Sequence, residues 1–155
     1  MIQHKKGQTI IIDLFIAISI FVLLIGATAL IWHNYRAKLA NDFIYEDLQV
    51  KAFQVTDLLV KSTGNPGAWE NNISSAAVIG LAESDRVLDR NKVEAFANIS
   101  HNEGVKLLNL GDYNYYFEIK DVNGGNLPNG DVKFNVERYV SYEGSDEIFK
   151  FTLWK

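Results

Sequence analysis

An acidic side chain lies in a segment of the sequence that otherwise carries almost no polar groups. Of the 23 residues from Ile10 to Trp32, 19 are apolar, and Asp13 is the one charged residue among them. An ionised carboxylate at the centre of a bilayer costs roughly 2.5 to 3.5 kcal/mol. Because Asp13 lies in the first turn of the segment, it can reach the lipid headgroups while the positive end of the helix dipole stabilises it.

Residue types that carry catalysis or bind metals are sparse in the rest of the chain. There is no cysteine, which excludes a disulfide framework, a thiolate metal site and a cysteine nucleophile. The three histidines, His4, His33 and His101, form no pair with zinc-ligand spacing, and we expect each to be solvated. Neither a nucleophile elbow nor a phosphate-binding glycine loop is present. The sequence therefore predicts no enzymatic activity and no cofactor.

One loop is rich in oxygen ligands, but its spacing does not match a calcium site. Its Asp and Asn side chains are Asp121, Asn123, Asn126, Asn129 and Asp131. An EF-hand loop that began at Asp121 would have Gly125 at its fifth position and Val132 at its twelfth, and neither offers a side-chain ligand. We therefore interpret this segment as a hairpin connection. Most of the acidic and lysine side chains elsewhere are expected to form solvated faces.

Charge and hydropathy divide the chain into two parts. The formal net charge is −4, and no basic stripe is present that would neutralise nucleic-acid phosphates, so nucleic-acid binding is not expected. As a helix, Ile10–Trp32 would be about 34 Å long, enough to cross a hydrocarbon core of about 30 Å. The sequence thus predicts a transmembrane segment joined to a water-soluble domain.

Two further features bear on how this segment is processed and oriented. Residues 27–29, Ala-Thr-Ala, have the form of a signal peptidase site, so secretion of a soluble domain that begins at Leu30 is an alternative. The length of the apolar run and the presence of Asp13 disfavour it. Lys5 and Lys6 give the short N-terminal side a high density of positive charge. Beyond the segment, acidic residues lie among the cations and lower that density. We therefore expect the N-terminus in the cytoplasm and the large domain outside.

The residues around the start of the apolar run form a motif. The sequence KKGQT at positions 5–9 is followed by three isoleucines and Asp13, and a long apolar run begins at Leu14. A short basic leader ending in Gly, a polar residue after it and a lone acid a few residues into an apolar helix resemble the class III signal of type IV pilin-like proteins. The Lys-Gly-Gln form is similar to the archaeal branch of that family.

This resemblance implies how the chain is processed. A membrane aspartic prepilin peptidase would recognise Lys5 and Lys6 and cut between Gly7 and Gln8 on the cytoplasmic side, so that the whole apolar helix stays on the mature protein. Gly7 suits a scissile bond, because a residue without Cβ is easily extended.

The resemblance also implies a role for Asp13 in assembly. Gln8 and Asp13 are five residues apart, about 7.5 Å along a helix and about 140° around it. One subunit therefore cannot easily pair the new amine of Gln8 with its own Asp13. A neighbouring subunit displaced along a filament could do so, which would make Asp13 a register device.

The helical pattern continues beyond the membrane segment. Apolar residues recur there at a spacing close to 3.6 residues, with charged residues between them; they are Ile44, Leu48, Ala52, Val55 and Leu59. We expect a helix over 33–63 that continues the span and ends where Gly64 can take a left-handed cap and Pro66 forbids continuation. A separate first helix of the soluble domain is the alternative.

The fold class predicted for the remainder is α+β. Alternating apolar residues over about 112–155 predict a C-terminal antiparallel sheet of about three strands in meander order, covered by the amphipathic part of the long helix. Residues 76–82 are a candidate strand, and Asp89 is a candidate N-cap of a helix to Asn98. Among the aromatic residues, we expect some of Tyr116, Tyr139 and Trp154 to point away from the core as an interface.

Taken together, these features predict a leader at 1–7, a transmembrane and assembly helix at 8–32, and an extracytoplasmic pilin-like head at 33–155. Asn72 and Asn98 begin Asn-x-Ser triplets and are candidate N-glycosylation sites. The resemblance implies a major or minor subunit of a type IV pilus-like surface filament, whose partners are the membrane, the prepilin peptidase and other pilin subunits. The alternative is a single-pass anchored binding domain that does not polymerise.

Overall fold

One long helix precedes an α+β unit. A computed structural model describes the backbone of residues 3–130 and 132–155, and the side chains of these residues except 3–10, 37, 40 and 41. Two compact units are present, residues 1–42 and 43–155. Helix α1, Gln3–Lys61, takes in residues of both. The start of the predicted leader, residues 1–2, and Asp131 of the oxygen-rich loop lie outside the described residues.

The first unit is helical and exposes its apolar side chains. Residues Ile11–Arg36 have a mean hydropathy of 2.8, and all of them are exposed. By length and composition this stretch can cross a membrane. Its Ser19 and Thr28 hydroxyl groups are satisfied within the helix, because Ser19 Oγ donates to the Phe15 carbonyl and Thr28 Oγ1 to the Leu24 carbonyl, both at 2.8 Å.

A six-stranded mixed sheet forms the centre of the second unit. Its strands are β1 Ala82–Ser84, β2 Val87–Leu88, β3 Asn114–Ile119, β4 Val122–Gly125, β5 Lys133–Tyr142 and β6 Ser145–Trp154. The order across the sheet is β1-β2-β5-β6-β3-β4; β2 and β5 are parallel, and the other neighbours are antiparallel. The helices α2 Arg90–Asn98 and α3 His101–Leu107, with 3-10 turns at Trp69–Asn71 and Ile73–Ser75, complete the unit.

The α+β class is confirmed, whereas the three-stranded antiparallel meander is wrong. The three predicted strands are β3, β5 and β6, but β6 lies between the other two. The additional strands have only two to four residues. The sequence of β4 is Val-Asn-Gly-Gly, and Asn and Gly are residues that strands generally disfavour. Of the candidate strand at 76–82, only Ala82 belongs to a strand, and Val78 forms an isolated bridge with Asn65.

The last turns of α1 cover one face of the sheet, as predicted. The buried members of the apolar stripe are Leu48, Ala52, Val55 and Leu59, and Ile44 is partly buried. From the sheet, the Phe134 ring packs edge-on against the rings of Tyr45 and Phe53, with centroids 5.6 and 5.5 Å apart. These aromatic contacts pack α1 against β5 at the edge of the core.

An ion pair holds β5 against α1. Arg138 Nε and Nη2 donate to Asp57 Oδ1 at 3.2 and 3.0 Å. Lys61 Nζ donates to Asp57 Oδ2 at 2.9 Å, and this bond, followed by those from Arg138, lowers the pKa of Asp57. The Arg138 guanidinium also lies 5.3 Å from the centroid of the Phe53 ring. The planar arginine therefore orients the strand on the helix.

A glycine turn and a buried tryptophan fix the path of the chain after α1. The helix ends at Lys61, two residues before the predicted end, and Gly64 has a φ of +84°. That conformation favours glycine, as the sequence indicates. Trp69 is fully buried beside this turn, and its Nε1 donates to the Gly80 carbonyl at 2.8 Å. The indole thus joins the end of α1 to the segment that leads into β1.

Lys92 is buried and is an exception to the expectation that most acids and lysines lie on solvated faces. Its Nζ donates to the Thr63 carbonyl at 2.8 Å and the Ala82 carbonyl at 3.4 Å. We expect Lys92→Met, which leaves both carbonyls without this donor, to lower the free energy of unfolding by about 1–3 kcal/mol. Urea unfolding of the solubilised full chain, followed by circular dichroism, measures the change. The exposed Lys106→Met is the control, and equal effects of the two substitutions would contradict the role of Lys92.

Two core tyrosines have raised pKa values for different reasons. Tyr115 is fully buried between Phe96 and Phe151, with ring centroids 5.6 and 6.0 Å away. Burial raises the pKa of Tyr115 to about 12. Tyr113 donates to Asp47 Oδ2 at 2.6 Å, and this hydrogen bond raises the pKa of Tyr113 to about 12. The folded state therefore keeps both phenols protonated at a pH where free phenols ionise.

We expect the second unit to lose stability between about pH 10 and pH 12. The folded state holds the Tyr115 proton more tightly than the unfolded chain, so its contribution is complete below pH 10 and disappears as the pH rises toward 12. Two pH units correspond to about 3 kcal/mol. The free energy of unfolding should decrease less between about pH 8 and about pH 11.5 for Tyr115→Phe than for the unchanged chain. Equal losses in both chains would refute this assignment.

Candidate processing and assembly segment

The predicted cleavage site lies inside helix α1. Lys5, Lys6, Gly7 and Gln8 have helical backbone, and their side chains lie outside the described residues. A peptidase binds its substrate in an extended form, so the Gly7–Gln8 bond becomes accessible only when the first turns of α1 unwind. Gly7 favours this unwinding, because glycine costs a helix interior about 1 kcal/mol relative to alanine.

Asp13 lies among exposed apolar side chains of α1. Its neighbours Ile12 and Leu14 are 58% and 59% exposed. The positions three and four residues away along the helix hold Thr9, Ile10, Ile16 and Ala17, none of which is a cation. No cation therefore lies one helical turn from Asp13 on either side. In an apolar environment, lipid headgroups or a second chain would have to stabilise an ionised carboxylate at this position.

Amphipathic side chains mark the end of the apolar stretch. The Arg36 guanidinium lies 5.5 Å from the centroid of the Trp32 ring, and Tyr35 is 56% exposed. His33 is exposed between them, as expected from the sequence. Rings with a polar edge are enriched at membrane–water interfaces, where arginine also reaches the headgroups. This cluster suits the end of a membrane span.

The two candidate glycosylation sites differ in their local contacts. Asn72 and Asn98 are both exposed. Asn98 is the last residue of α2; its amide nitrogen donates to the Glu94 carbonyl at 2.9 Å, and the next residue, Ile99, is only 6% exposed. Asn72 lies between the two 3-10 turns, followed by the partly buried Ile73. Asn72 is therefore the more accessible acceptor of the pair.

The oxygen-rich loop is used for packing. Asn129 Oδ1 accepts a hydrogen bond from Trp154 Nε1 at 3.1 Å. Throughout the part of the chain that the structure describes, no group of three or more His, Asp or Glu side chains is placed to share a metal ion.

The predicted outward-facing aromatic residues differ in exposure. Trp154 is 2% exposed, so it does not belong to them, whereas Tyr139 is 78% exposed.

One histidine departs from the expected solvated state. His101 is partly buried, and its ring stacks on Tyr115 with the centroids 5.2 Å apart. Its Nε2 lies 3.0 Å from Asn114 Oδ1, within hydrogen-bond distance. These contacts place His101 in the packing between α3 and β3.

Comparison with known proteins gives no further constraint. No protein-family model, curated protein or solved structure matches this chain. Function has to be inferred from the N-terminal segment and from the unit that follows it.

Proposed function

We propose that this chain is a subunit of a type IV pilus-like cell-surface filament. The observation that carries the proposal is the single carboxylate, Asp13, near the start of the exposed apolar stretch Ile11–Arg36. A basic leader that ends in Gly7 precedes it, and α1 extends to Lys61. A helix that is apolar all round has to be surrounded by lipid or by other helices. Filament assembly supplies the second environment.

Maturation would begin in the membrane. The prepilin peptidase binds the leader through Lys5 and Lys6, cleaves between Gly7 and Gln8 on the cytoplasmic side, and leaves the head outside the cell. The new ammonium group of Gln8 then pairs with Asp13 of a neighbouring subunit. Pairing in an apolar bundle neutralises two charges that would each be costly alone.

Lateral packing of α1 would drive polymerisation. Apolar side chains leave lipid for contacts with other copies of the helix, and small residues allow close approach of the backbones. The head remains on the filament surface, where its sheet is available to ligands.

The mass of the mature N-terminus tests this proposal most directly. A chain that begins at Gln8 supports prepilin processing. A chain that begins at Met1 supports a permanently anchored binding domain, and one that begins at Leu30 a secreted soluble domain. Either of the last two results would overturn the proposal. Intact-protein mass spectrometry of the chain recovered from its native membranes and from the culture medium distinguishes the three.

A further inference from the structure

The sheet has a second face, which carries polar and aromatic side chains. Tyr115, Phe117, Phe149 and Phe151 alternate toward the buried face under α1 and α2. The residues between them point the other way. On β5 these are Asn135, Glu137 and Tyr139, all of which are exposed. Their partners across β6 are Thr152, Lys150 and Ile148.

Three adjoining cavities form a trough along this outer face. Their volumes are about 300, 440 and 480 Å³. The first and second share Glu118 and Lys150 as lining residues, and the second and third share Tyr139 and Asp146. From Asn135 to Ser141 the trough follows β5 for about 20 Å, at about 3.4 Å per residue. It is long enough for an extended molecule.

Tyr139 is the most exposed aromatic ring of the second unit. It is 78% exposed and lines the second and third cavities, so ligands on either side can reach it. Ile148, directly across on β6, is 37% exposed and extends the apolar patch. Tyr116 lines the first cavity. The trough thus alternates flat apolar surfaces with polar side chains.

Among the residues that the structure describes, the charged lining of the first cavity is balanced, with two carboxylates and two ammonium groups. Glu118 and Glu137 face Lys133 and Lys150, and Lys150 Nζ lies 2.9 Å from Glu118 Oε1. The carboxylates disfavour a polyanion, and the number of charged groups disfavours a purely apolar ligand. An extended peptide is also disfavoured, because strands bind peptides at a sheet edge, whereas the backbone groups here are already paired in the ladder.

We propose that this trough binds a neutral oligosaccharide. A sugar hydroxyl both donates and accepts hydrogen bonds, and the trough offers donors and acceptors side by side: lysine ammonium groups, carboxylates and the exposed Asn135 amide. The C–H groups on the apolar face of a sugar ring pack against the Tyr139 ring, whose face carries partial negative charge. The site goes beyond filament formation and does not depend on it.

The test is a calorimetric titration of the full chain in phosphocholine-lipid nanodiscs, which contain no competing sugar. The probes are cellohexaose, chitohexaose and mannohexaose, with a heparin hexasaccharide as the polyanion. We expect saturable binding of at least one neutral probe. Tyr139→Ala should weaken that binding about tenfold, the loss of about 1.4 kcal/mol expected when a stacked ring is removed.

Two matched variants separate stacking from general disturbance. Tyr139→Phe keeps the ring and should bind within about twofold of the unchanged chain. Val50→Ala, an exposed apolar substitution on α1, should not change the affinity. The proposal is overturned if none of the neutral probes binds, if the heparin fragment binds more tightly, or if Tyr139→Ala binds as well as the unchanged chain.

Discussion

A Gly7→Phe chain should accumulate in the membrane with its leader attached, and the cells that produce it should carry no filaments of this subunit. Under the proposed function, the prepilin peptidase would have to draw the Gly7–Gln8 bond out of helix α1 into an extended form. Phenylalanine opposes this unwinding and extension for two reasons. It forms a helix more readily than glycine, and its side chain crowds the scissile peptide. Intact-protein mass spectrometry should find Met1 at the N-terminus of nearly all of the chain.

Gly26→Ala is the matched control for this experiment. It changes a glycine of the same helix at a position where a Cβ would meet nothing within 4 Å. The variant should be inserted and cleaved normally. If Gly7→Phe instead yields a chain that begins at Gln8, the leader and its cleavage site have been wrongly assigned.

The helical parts of the fold could be predicted because their signals are local. The stripe from Leu48 to Leu59 repeats with the period of a helix, and the same residues are buried in the core. Asp89 begins α2 as predicted: its carboxylate accepts hydrogen bonds from the backbone of Asn91 at 2.7 Å and Lys92 at 3.3 Å.

The order of the strands depends on contacts between distant segments, which alternation along the chain does not encode. The pairing of Val87 with Ser141 makes β2 parallel to β5, yet β2 has only two residues and no periodic signal. Lys92 is a similar case. Its burial follows from the carbonyl groups of Thr63 and Ala82, which reach it only in the folded chain.

The two candidate sites differ in the same way. The residues of the N-terminal segment, from Lys5 to Asp13, are contiguous, so their types and order alone indicate a leader and an acid in an apolar helix. The trough on the sheet draws its lining from β2, β3, β5 and β6. The sequence indicates that Tyr139 is a candidate outward-facing ring. Its position between two cavities could not be predicted, because it depends on the pairing of Tyr139 with Ile148 across β5 and β6.

Asp13→Ala should abolish filament assembly while leaving insertion and cleavage intact. Removal of the carboxylate makes the helix more apolar, so insertion costs less, and the change lies five residues beyond the new N-terminus. In the filament, however, the ammonium group of Gln8 from a neighbouring subunit would be left unpaired in an apolar bundle. The loss of one partner of a buried ion pair costs about 3–5 kcal/mol. Because every subunit would repeat this cost, we expect filaments to be absent by electron microscopy, although the purified chain begins at Gln8.

Ser19→Ala distinguishes a specific role of Asp13 from the removal of any polar group. Ser19 lies in the same apolar stretch, but its hydroxyl is satisfied by the Phe15 carbonyl at 2.8 Å within its own helix and needs no second chain. Filaments of Ser19→Ala should therefore form at the normal yield. Normal yield from Asp13→Ala as well would assign Asp13 to the lipid headgroups and remove it from assembly. If instead Asp13→Ala blocks cleavage, the carboxylate acts in recognition by the peptidase, because loss of an assembly contact cannot affect a step that precedes it.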